Sequence, residues 1–201
     1  MRVSEARSLQ WKGKHRRRVE FCLPGPEIAA YTIRRCTLAD AEAIASLGAR
    51  LFVQAYGPTH PEPEQSRYLA TAYSVDVMAE GIEGEGSSVF VVEDPHAAPI
   101  AYAHMIATTE FPPGFGGRGA FEIVRFYVDA AHQARGIGAM LMNHCCDVAR
   151  EAGADVIWLQ TWSQASWAIG FYLRLGFKIA GKKPFYFGAR VDEDHVMALA
   201  L

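Results

Sequence analysis

Six residues, Gln133-Ala134-Arg135-Gly136-Ile137-Gly138, constrain the fold of this chain more than any others. An apolar run, Phe121 to Val128, ends just before them, and a helix-patterned run, Ile137 to Ala152, begins within them. The junction reads as strand, glycine-bearing turn, helix. Glycine at such a turn admits backbone conformations that other residues avoid. The first turn of a helix adds unpaired N–H donors and the positive end of the helix dipole. Together they make a cradle for an anion, and a pyrophosphate suits it in size and charge. Taken alone, the same glycines are equally ordinary turn residues, so the surrounding pattern has to decide.

That pattern is mixed α/β. Tyr31 to Arg35 reads as a short strand, and Thr37 with Asp40 as a capping-box-like helix start. Ile44, Leu47, Leu51, Phe52 and Ala55 follow at helical spacing until Pro58, Pro61 and Pro63 break the helix. A second helix is expected over Glu64 to Tyr73. Ser88 to Glu93 and Ile100 to Thr108 read as strands joined through Asp94-Pro95. After the Phe121 strand and the Ile137 helix come a strand over Val156 to Trp162 and a helix over Ser166 to Leu175, ended by Gly176. Phe177 to Ala180 and His195 to Leu199 are the final strands. The expected order is β-α-α-β-β-β-α-β-α-β-β.

The first 28 residues stand apart. Arg2, Arg7, Lys12, Lys14, Arg16, Arg17 and Arg18 face only Glu5 and Glu20, without helical or strand periodicity. They read as a disordered basic extension or a start placed too far upstream, ahead of a transit peptide. The domain proper is expected over residues 29–201. A net charge of −2 offers no argument for nucleic acid or an anionic membrane surface as the main partner. No apolar run is long enough for a bilayer-spanning helix. Cys22, Cys36, Cys145 and Cys146 lack metal-ligand spacing, as do the histidines, and read as reduced thiols of a cytoplasmic chain with no bound metal.

The glycine loop after a strand, with Phe171-Tyr172 and Gly176-Phe177 downstream, resembles the GCN5-related N-acetyltransferases over about Tyr31 to Leu201. The resemblance implies their acyl-CoA N-acyltransferase fold, a mixed central sheet with flanking helices, and acetyl-CoA as cosubstrate. It places the pyrophosphate on Gln133, Ala134, Arg135, Gly136, Ile137, Gly138 and Ala139. It also has the backbone of Phe126, Tyr127 and Val128 pair with the pantetheine arm like an added strand. That pairing requires the Phe121 strand to diverge from the Val156 strand and to leave backbone groups free. Arg135 reads as either a phosphate contact or a solvated loop arginine. Gly114-Phe115-Gly116-Gly117-Arg118-Gly119 fits a dinucleotide fingerprint in letters only, because it precedes a strand instead of following one.

Acetyl transfer to an amine requires loss of a proton from an ammonium, a donor for the developing oxyanion and, helpfully, a proton for the leaving thiolate. Strand period 2 puts Glu122 on the same face as Val124, Phe126 and Val128. The resemblance makes Glu122 the general base, direct or through water; the other reading is a strand-end glutamate paired with a neighbour or solvent. Tyr172 matches the family tyrosine near the cofactor sulfur, and otherwise reads as core. Where many relatives carry a cofactor-holding asparagine, this chain has Ala165. Trp162 and Trp167 read as packing, and His104 as a hydrogen-bonded structural histidine.

Three stretches bear on the acceptor: Phe52 to Gly57 with Tyr68-Leu69, Glu122 to Val128, and Phe185 to Gly188 with His195 to Met197. They look like the bacterial polyamine-type acetyltransferases, and imply a small primary amine as substrate. Protein or peptide amines, and a non-catalytic CoA-binding sensor, remain open, as does a homodimer. Asp192, Glu193 and Asp194 are cation-attracting acids or solvated loop residues.

Overall fold

Seven strands form one sheet in the computed structural model, which describes residues 29–59, 62–188 and 190–201. The basic extension expected over residues 1–28 and Cys22 lie outside the described residues. In chain order the elements are β1 (Thr32–Arg35), α1 (Ala41–Tyr56), α2 (Glu64–Ala72), α3 (Val75–Glu83), β2 (Ser87–Glu93), β3 (Pro99–Thr108), β4 (Ala120–Val128), α4 (Ile137–Glu151), β5 (Val156–Trp162), α5 (Ser166–Arg174), β6 (Lys178–Phe187) and β7 (Arg190–Ala200). The sheet order is β1-β2-β3-β4-β5-β7-β6, antiparallel throughout except for the parallel pair β4–β5.

Alternation along the strands sorts the core onto both faces. Phe121, Ile123, Ile157, Leu159, Met197 and Leu199 bury against Ile137, Leu141 and Cys145 of α4 and Tyr172 of α5. On the other face Val89, Val91 and Tyr102 pack against Ile44, Leu51 and Phe52 of α1. Farther along that second face, Ala120, Val156, Trp158, Val196 and Ala198 are covered by Phe111 and Phe115 of the β3–β4 loop. The capping box is present: the Thr37 backbone N–H donates to Asp40 Oδ2 at 2.8 Å, and Arg34 donates to both Asp40 oxygens. That arginine holds the Asp40 carboxyl well below the usual carboxylate range.

The structure departs from expectation in three elements. Helix α3 is additional; Ser74 caps it by accepting from Val77 N–H at 3.2 Å. Strands β6 and β7 are much longer than their apolar cores suggested, forming a hairpin that reaches past Pro184 and Asp192. Proline is tolerated there because β6 is the edge of the sheet, where one side of the strand needs no donors. Cys36, Cys145 and Cys146 are buried free thiols; burial pushes the Cys36 and Cys146 thiols up to about 12. They are inert packing groups.

Candidate active site

The ladder between β4 and β5 stops early. Its four pairs run from Ala120↔Val156 to Ile123↔Leu159, yet β4 continues to Val128 and β5 to Trp162. Beyond Ile123 and Leu159 the strands part, leaving the divergence and the free edge of β4 that the family resemblance implied. One carbonyl at its far end is already taken, since Gln133 Nε2 donates to Val128 O at 3.0 Å. Gln133 thus ties the glycine loop to the strand end.

A β-bulge sits at the point of divergence. On β3, His104 faces Arg125 while the next residue, Met105, faces Ile123, so Val124 is the extra residue. A bulge reverses the alternation of the strand that follows. Phe126 and Val128 therefore join Phe121 and Ile123 on the α4–α5 face, whereas Arg125 and Tyr127 share the opposite face with Glu122. The expectation that Glu122 shares a face with Phe126 and Val128 is corrected: period 2 fails across the bulge.

On the Glu122 face lies a cavity of about 240 Å³, lined by Phe52 and Tyr56 of α1, Tyr68 of α2, Tyr73, Glu122 to Arg125 and Tyr127 of β4, Gln160 to Trp162 of β5, Phe185 of β6, and Asp192 and Asp194 of β7. All three acceptor stretches of the sequence contribute to its wall or packing. The aromatic side is continuous: Phe52 and Tyr68 rings lie 5.0 Å apart, Tyr68 and Phe185 6.1 Å, and Tyr56 and Trp162 6.4 Å. Tyr73 and Tyr127 hydroxyls are hydrogen-bonded at 3.2 Å.

Glu122 is half-buried, and burial pushes its carboxyl up, with Glu110 adding to the rise and Lys183 opposing it. Among the described residues no ion pair holds that carboxylate. Asp194 was the residue sequence reading undervalued. It is no loop acid: it lies on β7, is 5% exposed, and has an Oδ1 without a hydrogen-bond partner. Burial, reinforced by Asp192, pushes its carboxyl up to about 6. The signal that was available is the alternation Asp192, Asp194, Val196, Ala198, which continues the inward face of a strand.

At the other end of the divergence, Gly136 caps α4 with φ 84° and ψ −5°, a left-handed conformation that favours glycine. Ala134 also has a positive φ, 60°, so the loop alternates backbone hand and turns successive N–H groups outward. The first intrahelical bond is Met140 N–H to Gly136 O, leaving the N–H groups of Ile137, Gly138 and Ala139 without intrahelical acceptors. There is no acidic residue in this first turn to compete with an anion.

A family model described as acetyltransferase (GNAT) family matches residues 49–177. This chain belongs to the GNAT acetyltransferases. It is similar, at 35% identity over 75 residues, to streptothricin acetyltransferase of Streptomyces lavendulae, a match spanning 37% of this chain and 40% of that protein. Its fold is similar to the PaiA N-acetyltransferase of Thermoplasma acidophilum solved in complex with coenzyme A, at TM-score 0.69 and 16% identity over 85% of this chain and 99% of that one. It is also similar to the spermidine N-acetyltransferase of Vibrio cholerae, in complex with CoA and spermine, at TM-score 0.61 and 19% identity over 86% of this chain and 96% of that one. The protein is an acetyltransferase whose cosubstrate is acetyl-CoA, and the glycine loop, the unpaired helix N-terminus and the free β4 edge are the features that fit that molecule.

Within this GNAT fold, Gly138 is explained by packing as well as by the loop: a Cβ there would stand 3.1 Å from the Phe171 ring, which itself stacks on Phe126. Tyr172 is buried on the α4–α5 face, its ring against Phe126, Phe171 and Phe177. Burial raises its phenol well above the usual range, so it is protonated at neutral pH. Among the described residues nothing hydrogen-bonds its hydroxyl. Glu122 and Tyr172 thus belong to opposite faces of the sheet, on either side of the divergence. Ala165 is fully buried at the start of α5, and Gln164 and Ser166 are exposed. His104 is structural: its Nε2 lies 2.9 Å from Ser87 Oγ and its Nδ1 3.3 Å from Arg125 Nη1, and burial lowers it to about 4. Since Ser87 Oγ donates to Gly81 O, the histidine donates from Nε2 and accepts from Arg125. Trp167 is exposed and Trp162 walls the cavity.

Proposed function

We propose that the protein transfers the acetyl group of acetyl-CoA to the primary amine of a small, polyamine-like molecule by direct attack in a ternary complex. One observation carries this reading: an acid-bearing, aromatic-walled cavity opens onto the point where β4 and β5 part. The pantetheine arm pairs with the free edge of β4, from Phe126 toward Val128, and the pyrophosphate rests on the N–H groups of residues 136–139. This brings the thioester to the bulge.

Glu122 accepts a proton from the acceptor ammonium, directly or through one water. The neutral nitrogen forms a bond to the thioester carbon, and the carbon–sulfur bond breaks. Tyr172 Oη gives its proton to the departing thiolate from the opposite face. A raised pKa suits Glu122 to this role, because a base titrating nearer neutrality removes an amine proton with less penalty. The names of two similar proteins, a streptothricin acetyltransferase and a spermidine N-acetyltransferase, support an amine acceptor. The enclosed volume favours a small molecule over a folded protein surface.

The experiment is thiol release from acetyl-CoA with a panel of mono- and polyamines, amino acids and peptides. Turnover with small amines and little with peptides supports the reading. Tight acetyl-CoA binding without transfer to any amine would replace it with a CoA-binding module.

A further inference from the structure

Resting on that reading, we propose that Asp194 is the anchor for a second ammonium of the acceptor, so that the preferred substrate is a short-chain diamine in which the reacting nitrogen and a second cationic nitrogen are four or five carbons apart.

The observation behind this is a charge without a partner inside the cavity. Asp194 is 5% exposed, lines the cavity, and has a buried Oδ1 that no group of the described residues hydrogen-bonds. The nearby cations Lys183, Arg190 and Arg125 are committed elsewhere. Lys183, opposite Asp194 in the β6–β7 ladder, has its Nζ 4.8 Å over the Trp158 ring and 3.6 Å from Glu110. Arg190 pairs with Asp192 at 2.8 Å and stacks over Trp162. Arg125 donates to Ala72 O at 2.8 Å and faces His104 and the Tyr73 ring. A buried carboxylate left in this state is costly unless something arrives to pair with it.

The surroundings select a cation. Tyr56, Tyr68, Trp162 and Phe185 supply aromatic faces along the same wall, the surface that attracts alkylammonium groups. Burial, with a smaller contribution from the charge of Asp194, raises the phenols of Tyr56 and Tyr68, so neither hydroxyl ionises to compete as an anion.

Strand geometry sets the spacing. Asp194 lies opposite Trp162, three residues past Leu159, where the β4–β5 ladder ends. At about 3.3 Å per residue that is roughly 10 Å from the point of divergence. An extended four-carbon diamine spans roughly 6 Å between nitrogens, and an ammonium–carboxylate hydrogen bond adds about 2.8 Å. Four or five carbons therefore bridge the two positions.

The test uses the full chain with acetyl-CoA and three acceptors matched in length: 1-aminobutane, 1,4-diaminobutane and 4-aminobutyrate. The wild type should prefer the diamine over the monoamine in kcat/KM by roughly 10- to 100-fold, the worth of one charge-assisted hydrogen bond. In Asp194→Asn that preference should collapse toward one, and Asp194→Glu should restore part of it. Equal rates with monoamine and diamine in the wild type overturn the subsite while leaving amine acetylation standing. Equal losses for both amines in Asp194→Asn also overturn it, by making Asp194 a general support or a base. A preference for 4-aminobutyrate overturns it in favour of Arg125 as the pocket's selecting charge. If no amine is acetylated, the proposed function fails on its own, and calorimetric titration of 1,4-diaminobutane into the CoA-saturated protein decides the subsite. Binding that Asp194→Asn weakens tenfold or more upholds it, and absence of binding overturns it.

Discussion

Asp194→Asn should change the pH dependence of stability in a direction opposite to the usual carboxylate. The ordinary aspartate value is 3.8, and burial and Asp192 raise Asp194 to about 6 in the folded protein. The folded state therefore holds this proton more tightly than the unfolded chain. Ionised Asp194 costs stability above pH 6, and the cost is relieved as pH falls from 6 toward 3.8. Linkage with these two values gives a relief of about 2 kcal/mol on going from pH 7.5 to 4.5, and about 3 kcal/mol in full. Asparagine has no proton to bind, and its own burial penalty is the same at both pH values, so it cancels in the comparison. Urea unfolding of wild type and variant at the two pH values measures the difference directly. Wild type should gain about 2 kcal/mol relative to the variant in the acidic sample. Parallel stability profiles would refute the reasoning, since they would mean that Asp194 is paired or solvated and no unmet charge occupies the cavity. Saturating diamine at pH 7.5 should offset the same cost, raising wild-type stability more than that of the variant.

Glu122→Gln should lower turnover by roughly 10²- to 10⁴-fold, partly rescued at high pH where solvent deprotonates the amine; a wild-type pH profile would move the base elsewhere. Wild-type activity should fall with acid as the raised Glu122 carboxyl takes up its proton. Tyr172→Phe keeps the ring packing on Phe126 and Phe177 and should cut turnover by a smaller factor with acetyl-CoA affinity unchanged by calorimetry; full activity returns Tyr172 to a packing role. Gly136→Asp places a negative charge in the cradle at a left-handed position that Asp tolerates better than most residues, and should weaken acetyl-CoA binding far more than Gly136→Asn does. Gly48→Ala should destabilise by about 1–3 kcal/mol in thermal or urea unfolding despite alanine's better helix propensity, because its Cβ would meet Tyr102 Oη and Tyr73 Cδ1 at 2.7 Å.

Local chemistry in the chain determined most of the framework. The Thr37–Asp40 cap, the helical spacing of α1, the apolar cores of β2 to β5 and the glycines that start α4 and end α5 all act within a few residues, so their residue types alone were enough to place them. The divergence of β4 from β5 was expected only through the resemblance to the GCN5-related N-acetyltransferases, whose pantetheine pairing requires it. Tertiary structure decided what depended on partners distant in sequence. The Val124 bulge exists only in relation to β3, and it reversed the face on which Glu122 lies relative to Phe126. The length of β6 and β7 depended on their pairing with each other and on β6 being an edge, where Pro184 and the flanking lysines are tolerated. Asp194 has the composition of a solvated acid, and only the closing of α1, α2 and β6 around it makes it a buried charge. Desolvation is a property of the surroundings rather than of the residue, which is why the cavity's most consequential side chain emerged from packing and not from pattern.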